Sequence, residues 1–202
     1  MNDLKDQQRR TAYEARNAQI DKDAVSRIIC DRFIAHPAYQ QAETIMWYVH
    51  CRSEVRTVPA LLSELETGKR MVVPYCTKDE QGHNKLGLWW LEDFAELVPG
   101  MWGILEPPRQ RWGEAGKDIA PEQLDLIMVP GVGFDRDGGR LGNGAGYYDR
   151  LLMDVRSDAV LSAVCYESQL FEQIAMEPHD VVMDNVITEK TIYTGKGRQF
   201  SN

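Results

Sequence analysis

Residues 140–150 read RLGNGAGYYDR, with Gly142, Gly144 and Gly146 at every second position. Glycine has no Cβ, so backbone N–H groups in such a run can close on an anion. A helix starting near Ala145 would aim the positive end of its dipole at the same place. The flanking side chains suit phosphate chemistry: Arg140 and Arg150 supply cations, Asp149 a hard oxygen for Mg2+, and Tyr147 and Tyr148 stacking faces and hydroxyls. A bare glycine-rich turn without a ligand has the same spacing, and it is the charged flanks that favour an anion cradle. The Gly-Lys-Ser/Thr ending of a Walker loop and the dinucleotide fingerprint are both absent, so the two commonest nucleotide readings are not supported.

The elements that must position this turn follow from hydrophobic spacing. Residues 3–19 are polar, Arg-rich and helical in character. Asp21 or Asp23 can cap a second helix carrying Val25, Ile28, Ile29 and Phe33, which ends before Pro37. Residues 44–50 (TIMWYVH) read as a strand, Thr57 as the cap of a helix stopped by Gly68, and residues 70–76 (RMVVPYC) as the next strand. That βαβ unit implies a parallel pair with a right-handed crossover. Residues 86–91 suggest another strand. Residues 96–123 are rich in Gly, Pro and Trp without a period and read as a long functional loop. Buried-strand runs return at 124–129 (LDLIMV) and 159–166 (AVLSAVCY), with a helical spacing at 169–176 and a last short strand at 186–188. The expectation is one domain over 1–202, with N-terminal helices within 3–36 packed on the sheet. Its fold class would be α/β, Rossmann-like and doubly wound, a mostly parallel sheet with helices on both faces. The glycine turn would lie beyond the carboxyl end of the strand at 124–129, where such sheets bind ligands.

Composition narrows the partners. With 202 residues and 43% hydrophobic content the chain can fill a sizeable core, and its net charge of −8 offers no basic face for nucleic acid. Cys30, Cys51, Cys76 and Cys165 are widely spaced and form no zinc or redox motif. The charged start MNDLKDQQRR has no apolar core, and no run is long enough to span a bilayer. A cytoplasmic monomer acting on small molecules, with neither nucleic acid nor membrane as partner, is the expectation.

The segment 130–152 (PGVGFDRDGGRLGNGAGYYDRLL) resembles the signature of the 5-formyltetrahydrofolate cyclo-ligases, or methenyltetrahydrofolate synthetases. Three further stretches carry the same resemblance: Lys5 with Arg9, residues 53–57 (SEVRT) and residues 177–180 (EPHD). The resemblance implies an enzyme that uses ATP and Mg2+ to cyclise 5-formyltetrahydrofolate to 5,10-methenyltetrahydrofolate, releasing ADP and phosphate.

By position, it assigns the nucleotide to Lys5, Arg9, Arg140, Leu141, Gly142, Asn143, Gly144, Ala145, Gly146, Tyr147 and Tyr148. Arg140 and Tyr148 are the candidate catalytic groups. The folate falls to Val49, Glu54, Trp102 and residues 143–147 (Asn143, Gly144, Ala145, Gly146, Tyr147), and the metal to Asp149 and Asp180, with Asp184 as an alternative to Asp180. Plainer readings stand beside these. Lys5 and Arg9 could be a solvated helix face, Glu54 could favour the following helix through its dipole, and Asp180 could cap a turn. Trp89, Trp90 and Trp112 read as packing, and His36, His50 and His83 form no constellation. The chain departs from many relatives at Asn143, Ala145 and Tyr75, where a basic residue is common. Two other classes fit the residues alone: a non-catalytic folate- or nucleotide-binding module, and another phosphate-handling enzyme on a similar fold.

Overall fold

The computed structural model describes residues 2–198. Helix α1 (Asn2–Ala18) leads into α2 (Lys22–Ala35) and a short α3 (Pro37–Gln41) that the sequence reading did not anticipate. Asp21 does occupy the N-cap position of α2, but with left-handed backbone (φ 55°) and no side-chain cap bond; only its carbonyl joins the helix, accepting from Val25 N at 3.0 Å.

Strand β1 (Thr44–Met46) pairs in parallel with β2 (Arg70–Lys78) across α4 (Val58–Glu64), the βαβ unit expected from the sequence. The expected strand 44–50 stops early because, after Trp47 N donates to Val72 O at 2.8 Å, the chain leaves the sheet. Strand β3 (Asn84–Leu91) runs antiparallel to β2 at the edge. The loop at 96–123 holds a small hairpin, β4 (Val98–Pro99) with β5 (Leu105–Glu106), whose tip carries Trp102. Strand β6 (Leu126–Val129) is parallel to β1.

Between β6 and the glycine turn the structure inserts a hairpin, β7 (Gly133–Asp135) and β8 (Arg140–Leu141). The turn therefore follows a strand of a small side sheet and does not directly follow β6, correcting the expectation. Asp135 closes this hairpin, its carboxylate accepting from Asp137 N at 3.1 Å and Gly139 N at 2.7 Å. Helix α5 (Tyr147–Asp154) begins two residues later than expected and returns the chain to β9 (Val160–Val164).

The helical spacing at 169–176 is not a helix. A single 3-10 turn at Glu167–Gln169 leads into β10 (Leu170–Phe171), which joins β7. The backbone is held from outside: Gln169 Nε2 donates to Val132 O at 2.7 Å, and Ile174 N donates to the Asp135 carboxylate at 2.8 Å. Strands β11 (Asn185–Ile187) and β12 (Ile192–Thr194) complete a seven-stranded sheet of order β12-β11-β9-β6-β1-β2-β3. Only its two edge strands are antiparallel.

Strand alternation splits the core into two layers. Ile45, Met71, Val73, Leu126 and Met128 face Ile29, Phe33 and Leu61 of α2 and α4, whereas Met46, Val72, Ile127 and Val129 face Leu151 and Leu152 of α5. Helices thus cover both faces, as a doubly wound sheet requires. From β1 the chain winds one way through β2, and from β6 the other way through β9 and β11. The switch point lies between β1 and β6, where open α/β sheets form a crevice beyond the carboxyl ends of the strands. Among the described residues, no helix is long and apolar enough to cross a membrane.

Candidate active site

The segments leaving β1 and β6, the glycine turn and one face of α1 meet at that crevice. Two cavities open there. A polar one of about 340 Å3 is lined by Lys5, Arg9, Leu141, Glu177, His179 and Asp180; one of about 390 Å3 is lined by Val49, Glu54, Trp102, Asn143, Ala145, Tyr147 and Tyr148 among others. Both are also lined by Arg140, Gly142, Gly144, Gly146 and Asp149, so the turn and one ion pair form their shared wall.

The turn needs glycine for two separate reasons. Gly144 and Gly146 have φ of 87° and 72°, a region costly for residues with a Cβ. At Gly142 a Cβ would sit 3.1 Å from Arg140 Nη1. Arg140 is buried, pairs with Asp149 in the first turn of α5 and stands over the Tyr148 ring at 5.9 Å. Its Nε is buried with no hydrogen-bond partner. Arg150, expected to face the same anion, turns away and donates to Asn84 O at 2.7 Å; Asn84 Nδ2 in turn donates to Ala145 O at 3.1 Å.

Helix α1 presents Lys5, Arg9, Tyr13 and Arg16 on one stripe at helical spacing. Lys5 is buried, its Nζ 2.7 Å from Asp180 and 3.0 Å from Glu177. Burial pulls its pKa down, but hydrogen bonds and charge from Asp180 and Glu177 outweigh that and hold it above the ordinary lysine value. Arg9 Nε donates to Gly142 O at 3.1 Å, and Tyr13 OH donates to Asn143 Oδ1. A solvated helix face is therefore not what Lys5 and Arg9 form. Gln8 fixes the other partner segment, donating to Gln173 O at 2.8 Å and accepting from Ala175 N at 3.0 Å.

Glu54 points into the larger cavity and does not flank α4. One carboxylate oxygen accepts from Cys51 N at 2.9 Å and the other lies 3.7 Å from Arg16 Nη1. Burial raises its pKa, opposed by the Cys51 N–H and by Arg16. Tyr148 is pushed well above the ordinary tyrosine value by burial and by the Glu54 charge, so its phenol stays protonated and can donate. Trp102 is 59% exposed and meets Tyr147 edge to face, with ring centroids 6.3 Å apart.

Hard carboxylate oxygens are the donors Mg2+ takes. Asp149 and Asp180 line the same polar cavity, and ligand atoms of Glu177, His179 and Asp180 all lie within 4.8 Å of one another. The donor set fits a hard divalent cation, which would compete with Arg140 and Lys5 for the two aspartates. Asp184 lines neither cavity; its carboxylate accepts from Leu161 N at 2.7 Å and ties β9 to the segment before β11. Tyr75 lines neither cavity; it is buried on the same face of β2 as Met71 and Val73 and packs on Trp112 at 4.6 Å. Trp89 is fully buried, as expected of packing.

Tyr13, Arg16, Glu177 and His179 join the site beyond the residues expected from the sequence. Helical spacing from Lys5 is the signal for the first two, and proximity in EPHD for the others.

A profile of the 5-formyltetrahydrofolate cyclo-ligase family matches residues 2–189. The 5-formyltetrahydrofolate cyclo-ligase of Mycolicibacterium smegmatis is 37% identical over 147 residues, covering 73% of this chain and 74% of that protein. The Mus musculus enzyme of the same name is 30% identical over 169 residues, covering 81% and 82%. Among solved structures, Aquifex aeolicus 5,10-methenyltetrahydrofolate synthetase superposes with a TM-score of 0.79 at 29% identity, covering 98% of this chain and 97% of that one.

Proposed function

The chain belongs to the 5-formyltetrahydrofolate cyclo-ligase family, and on that footing we propose that its two joined cavities hold the two substrates of one reaction, ATP in the polar cavity and 5-formyltetrahydrofolate in the larger one. The reaction is the ATP-dependent closure to 5,10-methenyltetrahydrofolate with release of ADP and phosphate, a ligase reaction that forms a C–N bond. The observation that carries the assignment of the cavities is their shared wall of Arg140, Asp149 and the glycine turn. Residues shared in this way would contact both ligands, with a terminal phosphoryl group on one side and a reacting atom of the second ligand on the other.

The carbonyl oxygen of an N-formyl group is a poor leaving group. In the proposed course it attacks the γ-phosphorus of ATP, the bond from that phosphorus to the bridging oxygen breaks, and ADP leaves. N10 of the folate then attacks the activated formyl carbon and loses its proton, and the carbon–oxygen bond breaks as phosphate departs. Positioning and charge stabilisation supply most of the acceleration in such transfers.

Lys5, Arg9 and the backbone of the glycine turn would hold the phosphates. Arg140, which lines both cavities, would neutralise charge on the transferring group, and the protonated Tyr148 would donate a hydrogen bond beside it. Mg2+, held by Asp149 and Asp180, would offset the remaining phosphate charge. On the folate side Glu54 would accept from the pterin amino and amide groups, Val49 and residues 143–147 would line the ring, and Trp102 would cover it. The four cysteines are free, which suits a cytoplasmic enzyme, and the reading takes it as a monomer.

The test is the absorbance of methenyltetrahydrofolate formed from 5-formyltetrahydrofolate with and without Mg-ATP. Product only with nucleotide supports the reading; no product under any nucleotide condition removes it.

A further inference from the structure

Three described residues other than glycine have left-handed backbone: Asp21, Arg52 and Trp102. Two of them, Arg52 at φ 52° and Trp102 at φ 57°, face one place from different loops. That place is the mouth of a third cavity, of about 570 Å3, within the size range of small-molecule sites at roughly 300–1,000 Å3. Arg52, Trp102 and Cys51 line both this cavity and the larger cavity of the active site, so the two adjoin. Backbone strain at ligand clamps persists where the surroundings enforce it, and a bulky residue held where glycine would cost less points to a use for its side chain.

The chemistry of the third cavity is that of a carboxylate site. Arg56 pairs with Asp23, so these two cancel. His50 Nδ1 accepts from Thr57 N at 3.1 Å, which leaves Nε2 as the hydrogen-bearing nitrogen; burial and the Arg56 charge lower its pKa. Arg52 is exposed and, among the described residues, no carboxylate lies within ion-pairing distance of it. A guanidinium outside any ion pair, which the Glu54 carboxylate feels only at longer range, and a ring N–H therefore line the cavity together with the apolar Val58 and Pro59.

Resting on the reading above, we propose that this third cavity binds the carboxylate-bearing glutamyl tail of the folate, with Arg52 holding a carboxylate and Trp102 fixing the bend where the aminobenzoyl group leaves the active-site cavity. Arg52 is then a specificity residue that separates folates with a tail from pterins without one.

The experiment compares 5-formyltetrahydrofolate with 5-formyltetrahydropteroate, which keeps the reacting groups and lacks the glutamate. Wild-type enzyme should show a KM about tenfold or more higher for the tailless substrate at similar kcat. R52G removes the charge while relieving the backbone, so it should fold at least as stably as wild type and raise KM for the tailed substrate to near the tailless value, with KM for ATP unchanged. R52N, whose side chain tolerates the same backbone, should do likewise. Equal KM for the two substrates in wild type overturns the proposal, as does R52G or R52N that discriminates as wild type does. Failure of the wild type to form product from either substrate would instead remove the cyclo-ligase reading.

Discussion

Lys5 Nζ lies 2.7 Å from Asp180 Oδ2, joining the first helix to a loop 175 residues further along the chain. Both side chains are nearly excluded from solvent, and Glu177 N donates to the same carboxylate oxygen at 2.6 Å. The pair closes one end of the polar cavity and links the integrity of that site to the docking of α1. Replacing Lys5 by Met should weaken ATP binding by about 1.5–3 kcal/mol, roughly tenfold to a hundredfold, because one charge-assisted contact is lost and two carboxylates are left uncompensated. Folate binding should change little. ATP titration by calorimetry checks this, and an unchanged Kd would return Lys5 to a structural role.

Asp149→Asn should lower turnover at limiting Mg2+ while the fold persists, since an amide holds a hard cation far less well than a carboxylate. An apparent Mg2+ affinity reduced by more than about tenfold, with activity partly recovered at high Mg2+, is the expected pattern. Full activity at low Mg2+ would leave Asp149 as the partner of Arg140 alone.

Glu54→Gln should raise KM for the folate more than KM for ATP, because the carboxylate faces the larger cavity only. The pH dependence follows from the raised pKa. As pH falls, Glu54 takes up its proton before an ordinary carboxyl at 4.5 would. Wild-type KM for folate should then climb on the acid side from above pH 4.5, whereas the Gln variant, already neutral, should be flatter. The same shift acts on stability in the opposite direction. Between 4.5 and the raised value the folded state binds more protons than the unfolded one, so this residue's contribution falls as pH rises through that window. Parallel acid limbs for the two proteins would remove Glu54 from the folate contact.

The alternation of strands and helices was legible because the buried strands are continuous apolar runs and α4 is bracketed by Thr57 and Gly68. The β7–β8 hairpin was not, because strands of two or three residues closed by Asp135 have no periodicity to read. The spacing of Leu170 and Ile174 imitates a helix; Leu170 is half-buried and Ile174 buried along an irregular path that Gln169 and Asp135 hold. In the site, the glycine turn announced itself locally, and the structure brings Lys5, Arg140, Asp149 and Asp180 around one cavity. Arg150 was misplaced because a charge next to an anion cradle in sequence need not point into it: one helical turn from Gly146, its guanidinium reaches the start of β3. Arg52 and Trp102 carry no sequence signal of their left-handed backbone, which only the folded loops impose.

Tyr13 OH donates to Asn143 Oδ1 and so fastens the glycine turn to α1. Arg9 makes a second fastening one helical turn earlier, to Gly142 O at 3.1 Å. Asn143 lines the larger cavity and not the polar one, so its lack of a positive charge leaves the triphosphate to Lys5, Arg9 and Arg140. Tyr13→Phe deletes the donor while keeping the ring under the Arg16 guanidinium, 4.9 Å from its centroid. If the bond holds the turn in its binding shape, Tyr13→Phe and Asn143→Ala should each raise KM for both substrates, since the turn walls both cavities. The double variant should be no worse than the more impaired single one. The expected coupling is about 0.5–1.5 kcal/mol, the net worth of one hydrogen bond, and a double-mutant cycle on kcat/KM for each substrate measures it. Additive effects would show that the two side chains act independently, and that the turn keeps its shape through Gly144, Gly146 and the Arg9 contact alone.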